Sequence, residues 1–234
     1  YIAKRLSFTS DIKQALNLCD IIFICVGTPT KKGSTKVDLS YVLKCTNEIL
    51  KYTKKKKIIV TKSTVPIGTG DEIEKILKKK KKLFTVISNP EFLREGEAIR
   101  DFRFPDRIVI GSNEKNSFSI MRKLYAPLIN KGSKFFTTSR RGAELIKYAS
   151  NAFLATKITF INELANLCEK SGVNIEDISL GMGSDSRIGG RFLRAGPAYG
   201  GSCFPKDTKG LVSAADKFKV NLNLIRDKID TYKN

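Results

Sequence analysis

The chain has 234 residues, of which 41% are hydrophobic, a composition that fits a folded globular protein with one large core or two smaller ones. It contains no histidine, which excludes serine-histidine and cysteine-histidine catalysis and disfavours the commoner zinc sites. Its 43 lysines and arginines against 23 aspartates and glutamates give a net charge of +20, which favours anionic partners or phosphate-bearing substrates. Any catalytic base must therefore be a lysine, an aspartate or a glutamate, and we predict no metal site.

The positive charge is densest in two lysine runs, at residues 54–57 and 78–82. Each run lies where a helical pattern ends and an apolar strand pattern begins, a position where lysines complement the helix dipole. No aromatic residues alternate with the lysines as stacking platforms for bases would. We therefore predict solvated surface there, with no nucleic acid as a partner.

The sequence carries no sign of export or membrane insertion. Its first residues lack the apolar core of a signal peptide, and no stretch approaches the roughly 18 to 20 apolar residues of a membrane span. The five cysteines form no Cys-x-x-Cys pair, and their odd number argues against a disulfide framework. We predict a cytoplasmic protein with reduced thiols and no membrane partner. Because the chain begins with Tyr1 instead of methionine, we expect that upstream residues are missing.

The first half alternates short apolar runs with amphipathic stretches, which is typical of a parallel sheet covered by helices. Residues 21–26 are continuously apolar, as expected for a strand buried on both faces, and Asp38 is a candidate N-cap for the next helix. Further strands are predicted at 58–60, 84–87 and 107–110. The predicted fold class is α/β, with a partial Rossmann-like parallel sheet and helices.

Near residue 138 the pattern becomes mainly helical. Residues 143–171 contain neither glycine nor proline, which predicts a helix about 45 Å long that ends before Gly172. A helix of this length links lobes or pairs with a second subunit. We therefore predict a Rossmann-like domain at residues 1–137 and a central helical domain at residues 138–234.

A glycine-rich phosphate loop is missing from the first half. Nucleotide-binding α/β domains usually carry G-x-G-x-x-G after their first strand. Here Gly68-Thr69-Gly70 and Gly181-Met182-Gly183 both lack the third glycine. If this half of the chain binds a dinucleotide, its phosphate loop lies upstream of Tyr1.

Three pairs of polar residues have i,i+4 spacing, which places both members on one face wherever the backbone is helical. The pairs are Glu91 with Glu95, Lys147 with Asn151, and Cys203 with Asp207. The turn Lys62-Ser63-Thr64-Val65-Pro66 is a fourth feature of interest. Taken singly, each fits a solvated face or a strand ending as well as it fits a site.

Cys203 has neighbours that suit a reactive thiol. Gly200 and Gly201 permit close approach of a ligand to the backbone, and Lys206 adds positive charge nearby. Chemistry alone leaves open both a nucleophile and a buried structural cysteine at this position. The other four cysteines lie within or beside apolar runs and fit the structural role.

Five segments occur in the order found in one enzyme family. They are Gly27-Thr28-Pro29-Thr30, Lys62-Ser63-Thr64-Val65-Pro66, Asn89-Pro90-Glu91-Phe92-Leu93-Arg94-Glu95-Gly96, residues 147–153 and residues 200–207. Together they resemble the nucleotide-sugar 6-dehydrogenases, and among these the UDP-glucose 6-dehydrogenases, over nearly the whole sequence. We expect the chain to lack the family's N-terminal glycine-rich loop and its C-terminal UDP-binding domain.

The resemblance implies an NAD-binding first domain and NAD-dependent oxidation of the C6 alcohol of UDP-glucose to UDP-glucuronate. The family performs two hydride transfers and holds the intermediate as a cysteine thiohemiacetal and then a thioester. Cys203 matches the nucleophile. Lys147 would stabilise the oxyanion and take part in proton transfer, and Asn151 would be a second donor to the same oxygen.

Water and cofactor contacts follow from the same resemblance. Asp207 and Thr64 would position a water molecule, and Glu91 would be the base that hydrolyses the thioester. The matching cofactor contacts are Thr28, Thr64, Glu95 and Lys206.

Substrate contacts match a longer set of positions. They are Glu91, Phe92, Leu93, Arg94, Glu95, Lys147, Asn151, Phe192, Leu193, Arg194, Ala195, Gly196 and Gly200. Arg187 resembles an arginine that reaches the substrate of the partner subunit, and a guanidinium group suits phosphate. The helix around Lys147 would be the family's dimerisation helix, so we predict a homodimer.

The sequence leaves other functions open. A GDP-mannose 6-dehydrogenase shares the cysteine chemistry and many of these motifs. A non-catalytic remnant that dimerises through residues 143–171 is another alternative. A nucleic-acid binder would rest on the net charge alone.

Overall fold

A computed structural model describes residues 5–31, 33–79, 83–197, 201 and 203–231. The chain divides into two compact units. The first comprises Tyr1–Pro29 and Asp38–Lys147, and the second comprises Thr30–Val37 and Tyr148–Asn234. The predicted domain boundary after residue 137 stays a prediction.

The first unit contains a sheet with helices. Its strands are β1 (Ile21–Ile24), β2 (Lys57–Thr61), β3 (Phe84–Ser88), β4 (Arg107–Ser112) and β5 (Lys134–Thr138). Its helices are α1 (Ile12–Leu18), α2 (Ser40–Tyr52), α3 (Thr69–Leu77), α4 (Ala98–Arg103), α5 (Lys115–Leu124) and α6 (Ala126–Ile129). The long helix α7 (Arg140–Ser171) also begins in this unit.

The described strands lie in the order β1-β2-β3-β4-β5. Neighbours are parallel except β3 and β4, which pair in antiparallel fashion only where Ile87 meets Ser112 and Ser88 meets Gly111. A parallel neighbour needs a crossover of a dozen or more residues, usually built on a helix. The segment between β3 and β4 contains the six-residue helix α4 and no longer element, so it makes no such crossover. The sheet is otherwise parallel, and the predicted fold class is confirmed.

Two apolar clusters pack against the two faces of the sheet. Ile59 and Val86 belong to one cluster, and their chain neighbours Val60 and Ile87 belong to the other, as the alternation of side chains along a strand requires. All four side chains are at most 1% exposed. The two central strands are therefore buried on both faces, which explains their continuous apolar runs.

The first strand departs from its prediction. It ends at Ile24 and lies at an edge of the described sheet, and Phe23 is 37% exposed. The expected burial on both faces is wrong for β1, because the described residues leave the Phe23 side chain partly uncovered at this edge of the sheet. The next helix begins at Ser40 with Leu39 as its N-cap residue, so the predicted N-cap at Asp38 is wrong by one position. The Asp38 carboxylate still accepts the amide N–H of Ser40 at 2.9 Å.

The predicted long helix is present as α7, which has 32 residues and is about 48 Å long. It starts at Arg140, three residues before the predicted start, so Gly142 lies inside the helix instead of before it. Gly172 ends it with a φ of 72°, a left-handed conformation that glycine adopts without steric cost.

The second unit is helical, as predicted. It contains the rest of α7 together with α8 (Ile175–Gly183), α9 (Phe204–Lys217) and α10 (Asn223–Thr231). Tyr148, Ala152 and Leu211 form its buried apolar cluster. A Cβ atom at Gly210 would lie 2.6 Å from the Tyr148 ring, so only glycine lets this ring lie against α9. Across the residues that the structure covers, no helix has the length and apolar character needed to cross a membrane.

Gly111 provides a test of the packing of β4 against the start of α7. A Cβ atom there would lie 2.6 Å from both the Ala143 Cβ and the Ser139 carbonyl oxygen, and backbone cannot rotate away. We expect Gly111→Ala to lower the free energy of unfolding by about 1–3 kcal/mol in urea denaturation followed by circular dichroism.

Gly181→Ala is the matched control, because nothing lies within 4 Å of a Cβ atom at that helical position. It should raise the free energy of unfolding by about 0.5–1 kcal/mol, the ordinary gain for replacing glycine in a helix. Equal stability of Gly111→Ala and the unsubstituted protein would contradict the packing described for β4.

Candidate active site

In the first unit, two loops meet at the carboxyl ends of β1 and β2. The Thr28 hydroxyl donates to the Thr64 carbonyl oxygen at 2.8 Å, and the Ser63 hydroxyl donates to the Val26 carbonyl oxygen at 2.6 Å. Open α/β sheets bind ligands outside the carboxyl ends of their strands. The structure thus brings Thr28 and Thr64, both predicted cofactor contacts, to the edge of the sheet where a ligand is expected.

A small pocket of the first unit opens beside these loops. Its lining residues are Thr61, Ser63, Thr64, Val65, Ser88, Pro90, Glu144 and Lys147. The Thr61 hydroxyl is buried and has no hydrogen-bond partner among the described protein atoms. Buried polar groups are nearly always satisfied, so this hydroxyl is available to a bound water or ligand.

Glu144 is a buried carboxylate that the sequence analysis missed. It accepts the amide N–H groups of Gly68 at 2.6 Å and Gly70 at 2.8 Å, at the N-terminus of α3, and the Ser88 hydroxyl at 3.1 Å. Burial raises its pKa above the ordinary value, and the bonds from the two glycine amides oppose that rise. Its i,i+3 spacing from Lys147 was the only sequence signal, and a solvated face explains such spacing equally well.

Lys147 and Glu91 form an ion pair within the first unit. The Lys147 Nζ lies 3.1 Å from Glu91 Oε1, and the other Glu91 oxygen accepts the Leu93 amide N–H at 2.6 Å. Lys147 is only 4% exposed, and its Nζ lies 5.3 Å from the centre of the Phe92 ring. Predicted catalytic residues from two distant segments are thus brought together, with the ammonium in a setting that shields it from water.

The one-face arrangement that i,i+4 spacing gives in a helix does not apply to Glu91 and Glu95. Residues 91–94 are irregular, so the i,i+4 spacing has no helical meaning there, and Glu95 is exposed. The neighbouring Arg94 binds the carboxylate of Asp101 with its guanidinium group. This pairing holds the pKa of Asp101 at about 2, and both side chains remain ionised at neutral pH.

In the second unit, Cys203 lies immediately before α9 and is exposed. Its carbonyl oxygen accepts the Asp207 amide N–H at 2.8 Å, which confirms a helical turn across this pair. The start of a helix favours negative charge on a group placed there, and that suits a thiol that must react as thiolate. All five cysteines of the chain are thiols.

Asp207 is the centre of a buried network in the same unit. It is 1% exposed, and its two oxygens accept from Asn151 Nδ2 and Lys206 Nζ, each at 2.6 Å. Charge-assisted bonds on both oxygens fix the carboxylate. The structure therefore joins three of the predicted residues, Asn151, Asp207 and Lys206. Lys206, which was predicted to contact the cofactor, binds the Asp207 carboxylate in this structure.

The loop that follows α8 carries the remaining predicted contacts. Leu193 is buried and its carbonyl oxygen accepts the Ser179 hydroxyl at 2.6 Å, while the Gly196 amide donates to Asn162 Oδ1 at 2.9 Å. Phe192 has a positive φ of 65°, a strained conformation for an aromatic residue, and such strain concentrates at functional sites. The loop is thus held from two sides.

Other predicted contacts of this unit are more exposed. Arg187 is 87% exposed and pairs with Asp185 at 2.5 Å. Arg194 is exposed and Ala195 is half-buried. Gly200 lies outside the described residues.

Among the residues with described positions, no three histidine, cysteine, aspartate or glutamate side chains form a group that could hold a metal ion.

Both parts of the chain match domains of known proteins. Residues 1–129 match the UDP-glucose/GDP-mannose dehydrogenase family, NAD binding domain, and residues 141–233 match the central domain of the same family. The UDP-glucose 6-dehydrogenase of Rhizobium meliloti is 51% identical over 229 residues, which cover 96% of this chain and 52% of that protein. The chain spans about half the length of the curated relatives it matches.

Solved structures give the same result. A UDP-glucose dehydrogenase from the hyperthermophilic archaeon Pyrobaculum islandicum has a TM-score of 0.91 at 35% identity, covering 97% of this chain and 53% of that chain. A ternary complex of GDP-mannose dehydrogenase from Pseudomonas aeruginosa has a TM-score of 0.75 at 33% identity, covering 98% of this chain and 54% of that chain. The resemblance inferred from five sequence segments is confirmed, and the chain belongs to the UDP-glucose/GDP-mannose dehydrogenase family.

Proposed function

We propose that the full-length protein is a UDP-glucose 6-dehydrogenase, which oxidises the C6 alcohol of UDP-glucose to a carboxylate with NAD. The observation that carries this proposal is the 51% identity with the Rhizobium meliloti UDP-glucose 6-dehydrogenase across 96% of this chain. The exposed thiol of Cys203 at the start of α9 supplies the nucleophile that the reaction needs.

The residues present fit part of an NAD site. Thr28 and Thr64 join the loops at the carboxyl ends of β1 and β2, and the buried Thr61 hydroxyl lines the adjoining pocket without a described protein partner. Nothing lies within 4 Å of a Cβ atom built at Gly27, which leaves room for a ligand to approach the backbone. We propose that Thr28 and Thr64 contact the cofactor, together with Glu95 and Lys206. When bound, NAD accepts a hydride in each of the two oxidations.

Cys203 holds the sugar between the oxidations. We propose that its thiolate adds to the C6 aldehyde to give a thiohemiacetal, and that the second oxidation converts this adduct into a thioester. Water then attacks the thioester carbonyl carbon, the carbon–sulfur bond breaks, and the carboxylate leaves with the thiol restored. No histidine is needed at any step.

Lys147 and Asn151 suit stabilisation of the oxygen that becomes negative at C6. Lys147 is a buried ammonium that already pairs with a carboxylate, and Asn151 offers an amide N–H group fixed by Asp207. Donors that are held in place before the reaction stabilise a developing oxyanion without reorganisation. We assign Lys147 a further part in proton transfer.

Hydrolysis of the thioester requires an activated water. We propose that Thr64 and Asp207 orient this water and that Glu91 accepts its proton. Glu91 suits the role because its carboxylate is held by Lys147 and by the Leu93 amide N–H. A base must lie within hydrogen-bond reach of the proton that it removes, and a fixed carboxylate meets that demand more often than a mobile one.

Contacts to the sugar nucleotide are assigned to two segments. They are Glu91, Phe92, Leu93, Arg94 and Glu95 in the first unit, with Lys147, and Asn151, Phe192, Leu193, Arg194, Ala195, Gly196 and Gly200 in the second unit. We propose that Arg187, which is largely exposed, reaches the phosphate of a substrate bound to the partner subunit.

We further propose a homodimer that forms along α7. Phe153, Phe160 and Leu167 are 64%, 46% and 61% exposed, and they recur every seven residues within the second unit. Seven-residue spacing of apolar side chains is the pattern by which two helices pack along their length. A second copy of the same helix is the partner that this stripe fits.

Because all cysteines are thiols, we assign the protein to the cytoplasm.

GDP-mannose oxidation is the rival activity, since the family includes it. It is not favoured, because the Pyrobaculum islandicum UDP-glucose dehydrogenase matches with the higher TM-score, 0.91 against 0.75. A non-catalytic remnant that dimerises through residues 143–171 predicts that this chain has no affinity for NAD, and saturable NAD binding by the chain in calorimetric titration would count against it.

The substrate is tested by incubating the full-length protein with NAD and either UDP-glucose or GDP-mannose. We expect two NADH per sugar from UDP-glucose, with UDP-glucuronate identified by mass spectrometry. NADH formed only from GDP-mannose would overturn the substrate assignment, and no NADH from either sugar would overturn the proposed activity.

Replacement of the nucleophile is the second test. We expect Cys203→Ser to lower formation of UDP-glucuronate by on the order of a thousandfold or more, because the serine hydroxyl is not ionised at neutral pH. The control is Cys45→Ser in α2, which should retain activity. Normal acid formation by Cys203→Ser would refute the covalent mechanism.

The dimer is tested by placing a charge in the exposed stripe. Phe160→Glu should shift the sedimentation coefficient of the full-length protein toward that of the monomer, because a carboxylate would be buried without a partner. Asn166→Glu adds the same charge to an exposed position on another side of α7 and should leave the dimer intact. A dimer that survives Phe160→Glu would place the interface elsewhere.

A further inference from the structure

Lys62 follows β2 directly and is directed into a buried polar network of the first unit. Its Nζ lies 3.3 Å from Asn89 Oδ1 and 5.9 Å from the centre of the Tyr125 ring. Neither the family match nor the chemistry proposed above gives this lysine a task. A cation placed in such surroundings costs free energy of hydration, so its presence calls for a reason.

Asn89 links Lys62 to the segment that carries Glu91. Its amide donates to the Val109 carbonyl oxygen at 2.9 Å, and its Oδ1 accepts the Tyr125 hydroxyl at 2.5 Å. Its own backbone N–H donates to the Thr61 carbonyl oxygen at 2.9 Å. Asn89 is 0% exposed and stands two residues before Glu91. The groups that hold Asn89 therefore also fix the backbone from which the Glu91 side chain extends.

Electrostatics connects the same two residues directly. The ionisable groups that act on the Lys62 ammonium are Glu91, Cys25 and Lys147, and the nearby Tyr125 stays neutral because burial raises its pKa to about 12. Glu91 is the carboxylate of this group, and it already pairs with Lys147 at 3.1 Å. The Glu91 carboxylate therefore lies in the field of two ammonium groups.

We propose that Lys62 is a positioning residue for Glu91: its ammonium group holds Asn89 and attracts the Glu91 carboxylate, which keeps that carboxylate in place for its reaction with water. This inference rests on the proposed function, in which Glu91 is the base for thioester hydrolysis. The chain then has two lysines around one carboxylate, with Lys147 serving the sugar oxygen and Lys62 serving Glu91.

The charge of Lys62 changes near physiological pH. Burial lowers its pKa to about 8, Glu91 and Cys25 partly oppose this, and Lys147 adds to it. Because the folded pKa lies below the ordinary lysine value, the folded protein binds fewer protons than the unfolded chain between about pH 8 and about pH 10.5. The charge on Lys62 thus lowers the stability of the folded protein at neutral pH. A lysine kept only for stability would raise it.

Two variants separate the charge of Lys62 from its shape. Lys62→Met removes the charge, and Lys62→Arg makes it permanent across the range from about pH 6.5 to about pH 9.5. Lys115→Met at an exposed position of α5 is the control and should match the unsubstituted enzyme. The measurement is kcat and KM for UDP-glucose oxidation by the full-length protein, with thermal unfolding of each variant.

We expect Lys62→Met to lower kcat roughly tenfold at neutral pH with little change in KM, and to leave the melting temperature equal or higher. The unsubstituted enzyme should follow Lys62→Arg at the acid end of the range and Lys62→Met at the alkaline end, with an inflection near pH 8 that both variants lack. An inflection retained in Lys62→Met, or unchanged kcat in it, would overturn the proposal.

A second readout does not depend on turnover. Reductive methylation with isotope-labelled formaldehyde gives each lysine an NMR signal, and the Lys62 signal is the one absent from Lys62→Met. We expect its titration midpoint near pH 8, and a further fall in Glu91→Gln, because the attracting carboxylate is gone. A midpoint that Glu91→Gln leaves unchanged would disprove the coupling. If the enzyme fails to oxidise UDP-glucose while this midpoint shifts as expected, the proposed function fails and the link between Lys62 and Glu91 stands.

Discussion

The carboxylate of Glu144 against the N-terminus of α3 is the interaction on which the first unit depends. It accepts two backbone N–H groups that no helical carbonyl can satisfy, those of Gly68 and Gly70. One turn earlier in α7, the buried guanidinium of Arg140 pairs with acidic side chains of the same helix α3. These contacts fix the first turns of α7, and Lys147 is carried one turn further along the same helix. The place of its ammonium group follows from that anchorage.

Polar groups at the carboxyl ends of the strands are likewise held by hydrogen bonds to other protein groups. Asn89 uses its side-chain amide and its backbone N–H to join β2, β4 and the end of α5, and Thr28 joins the loops after β1 and β2. A buried polar group costs free energy unless its bonds are made within the protein. These hydrogen bonds therefore stiffen this edge of the sheet. They also fix the backbone that carries Glu91 and so support its ion pair with Lys147. In the second unit Asp207 does the same for Asn151.

Much of the fold could be predicted from the sequence where the local signal was strong. The central strands β2, β3 and β4 and the helix α7 were predicted because continuous apolar runs and an uninterrupted helical period leave few alternatives. The edge strand β5 was missed, since its residues are mostly exposed and give no burial pattern. The i,i+4 spacing of Glu91 and Glu95 carried no information, because that spacing places two side chains on one face only in a helix and the backbone here is irregular. Glu144 and Lys62 were not predicted, as their partners lie far away in the chain.

By itself the sequence determined the fold class, the family and the identity of the candidate catalytic residues, because short segments such as the one around Cys203 keep their order and chemistry whatever the packing. Only the tertiary structure decided which of these residues meet. Glu144 reaches Gly68 across 76 positions, and Thr28 reaches Thr64 across 36. The burial that lowers the pKa of Lys62 also arises from residues remote in the chain. Burial and distance are properties of the folded chain, and no local pattern of residues encodes them.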